Sequence, residues 1–218
     1  MKNTESNIQN TIRFVKTQLQ GAEAGHDWFH VERVYKMAVR INKSEKANET
    51  IITLGALLHD VADSKFHNGD ETIGPKVARA FLEQEGVDTE TIEHVVKIIE
   101  NISFKGGNFS QKFRSKELDI IQDADRLDAI GAIGIARTFN YGGFKNRELY
   151  NPAVKPNLNM DKETYKKTVS PTLNHFYEKL LLLKDRMHTE TAKKIAEGRH
   201  NFMENYLAQF LAEWEGER

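Results

Sequence analysis

Apolar residues recur at helical spacing along almost the whole chain, and no stretch alternates apolar and polar residues as a half-buried strand would. Ile8, Ile12, Val15 and Leu19 mark one helix, with Gly21 after it as a stop. Val31, Val34, Tyr35 and Ala38 mark a second. Val77, Ala80, Phe81 and Leu82 make a third stripe, ended by Gly86, and Ile92, Val95, Val96 and Ile99 a fourth. Phe176, Leu180 and Leu183 share one late pattern; Ile195, Phe202, Tyr206, Phe210 and Leu211 lie in the last. Only 4 prolines interrupt 218 residues, so long helices are seldom broken. The pattern predicts an all-α fold with no internal repeat. It predicts one domain over 1–218, with a core of about 22–140 and C-terminal helices of about 161–216 packed on it. Two loops stand out, Lys105–Phe109 (KGGNF) and Asn140–Asn159, which holds YGGF and two prolines.

Composition narrows the function. Hydrophobic residues make up 39% of the chain, enough for a real core. The net charge of -1, from 31 basic and 32 acidic residues, argues against a dedicated nucleic-acid binder. The absence of cysteine excludes disulfides, thiolate zinc sites and cysteine nucleophiles. No apolar run approaches the roughly 18 residues of a membrane span, and MKNTESNIQN has no signal-peptide apolar region. The expectation is a cytoplasmic protein. Amphipathic C-terminal helices would permit a homodimer.

Against this apolar background, a few polar positions need a reason. Ile51, Ile52, Leu54, Leu57 and Leu58 form an apolar stretch that runs straight into His59-Asp60. His26 and His30 are four apart, and share a face if their helix has begun by His26. Asp123, Asp125 and Asp128 lie among Ile120, Ile121, Leu127 and Ile130. Carboxylates in such surroundings are costly unless something positive meets them. A divalent cation would compensate Asp60 and Asp125 together. Two imidazoles and two carboxylates, with positions left for water, suit Mn²⁺, Fe²⁺, Co²⁺ or Ni²⁺ better than a closed tetrahedral zinc, with Mg²⁺ a further option. Such an ion can lower the pKa of a coordinated water and make it a nucleophile. Adjacent helical residues point about 100° apart, so His59 and Asp60 converge only on an ion at the helix flank. Asp123 and Asp128 read as salt-bridged or supporting groups. His94, His188 and His200 read as hydrogen-bonded core or surface histidines.

Taken together, HDWFHVERV, LLHDVADSKF, ENISF, DADRLDAIGAIGIARTF, HFYEKL and AEGRHNFM resemble the HD-domain superfamily of metal-dependent phosphohydrolases. Within it they resemble the small bacterial HD hydrolases of the YpgQ/YedJ type. The ordered pattern is His30, then His59-Asp60, then Asp125 far downstream. The resemblance implies an all-α HD-domain helical bundle and one metal held by His30, His59, Asp60 and Asp125. It selects His30 over His26, and Asp125 over Asp123. It implies hydrolysis of a nucleoside triphosphate to a monophosphate and pyrophosphate. The same superfamily contains nucleotide 5′-phosphatases and phosphodiesterases, and a non-catalytic, regulatory nucleotide-binding module is the alternative from another class. The GYP signature of the cyclic-dinucleotide branch is absent, as is a GxxxxGK[ST] loop.

Asp63, four residues after His59, is the candidate general base. Substrate phosphates need positive charge. Lys65 is nearest in sequence, and Arg33, His175 and Lys179 are further candidates. Arg33 has an alternative role in bracing Asp128. Arg137 and a YGG turn near Tyr141 are candidates for a phosphate or base. Gly131 and Gly134 read as allowing close helix packing.

Overall fold

The structure is a computed structural model that describes residues 2–21, 27–61, 70, 72–102, 113–158 and 170–218. The fold is all-α, with no strand among the described residues. The chain forms two compact units, Met1–Ala124 and Asp125–Arg218.

The first unit contains α1 (Lys2–Gln18), α2 (Trp28–Glu45), α3 (Glu49–Leu58), α4 (Ile73–Gln84), α5 (Thr89–Ile102) and most of α6 (Lys116–Asp128). α3 is its centre and packs with α1, α2 and α5. Every residue from Ile51 to Leu58 is buried, which is why the stretch needs no polar face. Each large aliphatic side chain so buried contributes about 1.5–3 kcal/mol. Gly55 sets how closely α3 meets its neighbours: a Cβ there would lie 2.7 Å from Ile121 Cδ1 on α6 and 3.6 Å from Ile98 Cδ1 on α5. The entry to α3 is fixed by Asn48, whose side chain accepts from the Thr50 and Ile51 amides at 3.0 and 3.2 Å. Just before it, Asn42 bonds both ways to the Ala47 backbone, steadying the left-handed Lys46 that ends α2. Arg79 of α4 forks onto Glu93 of α5 at 2.6 and 2.9 Å.

The second unit holds the end of α6, then α7 (Gly131–Phe144), α8 (Asn174–Glu178), a 3₁₀ turn (Leu180–Arg186) and α9 (Glu190–Trp214). Phe139, Phe176, Tyr206 and Phe210 form one aromatic cluster, with ring centroids 5.9 to 6.2 Å apart. Tyr150 and Trp214 extend it past Phe210.

Two sequence expectations fail here for identifiable reasons. The loop expected to start at Asn140 starts after Phe144, because YGGF completes α7. Its glycine is a packing device: a Cβ on Gly142 would lie 2.2 Å from Thr172 Oγ1 and 2.8 Å from its Cγ2. The late pattern of Phe176, Leu180 and Leu183 is not one helix, since Lys179 at φ -144 breaks α8 from the 3₁₀ turn. On α9, Phe202 is exposed, and the buried face is carried by Ala192, Ala196, Met203 and Leu207. The KGGNF loop lies outside the described residues.

Candidate metal centre

The site begins with a helix start. Asp27 is the N-cap of α2, its carboxylate accepting from the His30 amide at 2.9 Å. This places His30 at the third helical position, with its side chain almost fully buried. The helix begins at Trp28, after His26, so the expected face shared by His26 and His30 does not form within α2. His26 itself lies outside the described residues.

The second half of the site is a helix end. α3 stops at Leu58, His59 is its C-cap, and Asp60 follows in a turn closed by the Val61 amide on the Leu58 carbonyl at 3.2 Å. His59 itself keeps right-handed helical dihedrals, φ -57 and ψ -32, so the doublet continues the winding of α3 for one residue past its end. His59 Nδ1 lies 2.8 Å from the Ala56 carbonyl, which can only accept, so Nδ1 carries the proton. In the neutral ring this leaves a lone pair on Nε2.

That lone pair faces His30: the two Nε2 atoms are 3.3 Å apart, with the rings edge to face. Asp60 Oδ2 lies 3.7 Å from His30 Nε2. One ligand atom from each of the three residues falls within 4.8 Å of the others. Two imidazole nitrogens and a carboxylate oxygen gathered this closely are a donor set that fits a divalent transition metal. The backbone bond on the far nitrogen of His59 is the support such ligands generally receive. It is the only such cluster of three among the described residues.

Asp63 and Lys65 lie outside the described residues. Arg33 sits part-buried on α2, one turn past His30. Asp125 is part-buried on α6 and belongs to the second unit. So do His175 and Lys179, on α8 and at its end. Burial, with Lys179 and then Arg147 adding positive charge, pushes the His175 imidazole down to about 3. It is neutral at pH 7 and offers a hydrogen bond, whereas Lys179 offers charge. Asp128 is braced by Arg137, whose Nη1 reaches its Oδ2 at 2.7 Å and its carbonyl at 3.2 Å. Asp128 is thus braced by Arg137, as its reading as a salt-bridged group expects. The YGG segment near Tyr141 is helical rather than a turn. Gly134 is a close-packing glycine, a Cβ there lying 2.2 Å from the Ala129 carbonyl.

Sequence reasoning missed Asp27 and the Ala56 carbonyl. The first had a signal, an Asp three residues ahead of His30 at the start of an apolar period. A backbone carbonyl has none.

A helical protein that gathers two histidines and an aspartate from the start of one core helix and the end of the next defines a class of metal-site α-domain. The chain belongs to the HD-domain family. The HD domain model matches residues 28–130, a span that contains all three clustered residues and Asp125. The YpgQ protein of Bacillus subtilis (strain 168) is 39% identical over 199 residues, which cover 90% of this chain and 88% of that protein. The crystal structure of an HD-superfamily hydrolase from Bacillus thuringiensis superposes with a TM-score of 0.78 at 45% identity, covering 97% of this chain and 98% of its own. The crystal structure of Bacillus subtilis YpgQ in complex with ADP superposes with a TM-score of 0.75 at 34% identity over 95% of each chain. No helix among the described residues is long and apolar enough to cross a membrane.

Proposed function

We propose that the chain is a metal-dependent phosphohydrolase that cleaves a nucleoside triphosphate to a monophosphate and pyrophosphate. The observation that carries the reading is the convergence of His30, His59 and Asp60, with the two Nε2 atoms 3.3 Å apart. Support for a hydrolase comes from the Bacillus thuringiensis neighbour, and support for a nucleotide ligand from the ADP complex of YpgQ. Asp125 is assigned as the fourth ligand on the ordered sequence pattern.

A divalent ion held by these residues would supply Lewis-acid activation of water and charge compensation for a phosphate oxygen. The chain's own contribution is orientation and proton transfer. The Ala56 carbonyl holds the His59 tautomer, and Asp27 holds the turn from which His30 projects. Asp63 is assigned the role of general base. A water oxygen adds to the α-phosphorus, the α–β bridging P–O bond breaks, and the proton passes to Asp63. Lys65, Arg33 and Lys179 are assigned to the phosphates as charge donors, and His175 as a neutral hydrogen-bonding group.

The test is a metal analysis of the purified protein, followed by a nucleotide screen with Mn²⁺, Co²⁺, Ni²⁺, Fe²⁺ and Mg²⁺ that identifies the phosphorus product. Pyrophosphate release is expected. Orthophosphate alone would replace the reading with a nucleotide 5′-phosphatase, and silence across nucleotides and simple phosphodiesters would end it. Asp63→Ala is expected to keep the metal and lose rate.

A further inference from the structure

The last turn of α6, which carries Asp125, is tied down by arginines from later in the chain. The final carbonyls of a helix have no partner within it, and helix ends fray. Here Ala129 and Ile130 amides return to the Arg126 and Leu127 carbonyls at 3.1 and 3.2 Å. Arg137 of α7 takes the Asp128 carbonyl. Arg199 Nη1, from α9 and 72 residues away, donates to the Leu127 carbonyl. To get there its stem crosses Gly131, where a Cβ would lie 3.0, 3.1 and 3.2 Å from Arg199 Cγ, Cβ and Cδ. Gly131 also stands at φ +77, the left-handed region that glycine tolerates. One residue thus turns the chain and leaves the groove through which Arg199 passes.

We propose that Arg199 is a positioning residue for Asp125: its guanidinium, drawn across Gly131 onto the Leu127 carbonyl, fixes the helical turn from which that carboxylate projects. The inference rests on the reading of Asp125 as a metal ligand. A ligand must be held within about 0.5 Å of its productive position, and groups that support ligands typically contribute about 10–100-fold in metal affinity. The role assigned to Arg199 runs through the backbone of α6.

The experiment titrates Mn²⁺ into the metal-stripped full chain and reads free Mn²⁺ by electron paramagnetic resonance. Melting of the metal-free protein is measured alongside. Arg199→Met keeps the apolar stem over Gly131 and removes the donor. It is expected to weaken Mn²⁺ binding at least about tenfold while the metal-free protein stays folded. Arg199→Lys, still able to reach the carbonyl, is expected to recover most of the loss. Arg199→Gln carries the same expectation as Arg199→Met if the methionine variant does not fold. Unchanged affinity in Arg199→Met, beside a loss in Asp125→Ala, would overturn the positioning role alone. Unchanged affinity in Asp125→Ala would instead overturn the ligand assignment beneath it. Failure of both Met and Gln variants to fold would mark Arg199 as structural.

Discussion

His59 turns its Nε2 toward His30 Nε2, 3.3 Å away, because its other nitrogen is committed to the Ala56 carbonyl. A cation held between the two rings would meet both nitrogens, and Asp60, whose Oδ2 lies 3.7 Å from His30 Nε2, would supply a compensating negative charge. The cluster therefore links binding to stability. Mn²⁺ at a hundred times its dissociation constant is expected to stabilise the fold by about 2.7 kcal/mol, a rise of about 5–10 °C in melting temperature for a chain of this size. A chelator should reverse it. His59→Ala should abolish the shift, and His94→Ala, outside the cluster, should keep it. A shift that survives His59→Ala would place the ion elsewhere.

His30 depends on a cap that is not itself a ligand. Asp27 accepts from the His30 amide at 2.9 Å, and no other acidic residue lies in the first turn of α2. Asp27→Ala should cost about 1 kcal/mol of stability and weaken Mn²⁺ binding, since His30 stands in the turn that would fray. Asp27→Ser can make the same bond and should restore most of both. Denaturant melts and the Mn²⁺ titration check this together. Lost stability with unchanged metal affinity would show that His30 is held by its packing alone.

How much of this was legible depended on whether the signal was local. The helices were, because burial of one face writes a 3.6-residue period into Ile92, Val95, Val96 and Ile99 without reference to anything distant. The His59-Asp60 doublet was visible as polar residues at the end of a wholly apolar run. That the run ended before the doublet was not visible, because no glycine or proline marks the stop and the C-cap is His59 itself. The glycines misled in proportion to their distance from their partners. Gly142 looked like a turn because Thr172, which it makes room for, is 30 residues on. Gly131 and Gly134 read correctly as packing glycines, but Arg199 as the occupant of Gly131's space could not be read from either segment alone.

His175 predicts an acid limb in stability. Its imidazole, burial first and nearby Lys179 and Arg147 second, is depressed from 6.5 to about 3. The unfolded chain therefore binds a proton that the folded chain refuses between those values. Its contribution is intact above pH 6.5 and is lost as pH falls toward 3, with a slope of at most about 1.4 kcal/mol per pH unit. A His175→Gln protein, with no proton to refuse, should show a shallower fall of melting temperature through this window. Equal slopes in the two proteins would mean that His175 titrates normally.

Gly142 and Thr172 offer a cycle that isolates close packing in the second unit. A methyl group on Gly142 meets Thr172 Oγ1 at 2.2 Å and Cγ2 at 2.8 Å, and Thr172 is itself buried and tied by its amide to the Glu148 carbonyl at 2.8 Å. Neither backbone can step aside cheaply, so Gly142→Ala should destabilise by about 1–3 kcal/mol, even though alanine favours helix over glycine by about 1 kcal/mol. Thr172 Oγ1 has no hydrogen-bond partner among the described residues. Thr172→Ala therefore removes both clashing atoms with no bond lost, and should cost little by itself. The double variant should then be more stable than Gly142→Ala, by an interaction energy that urea melts of the four proteins resolve. Strict additivity would mean that α7 shifts away from Thr172 when Gly142 is filled, and that the glycine is there for some other reason.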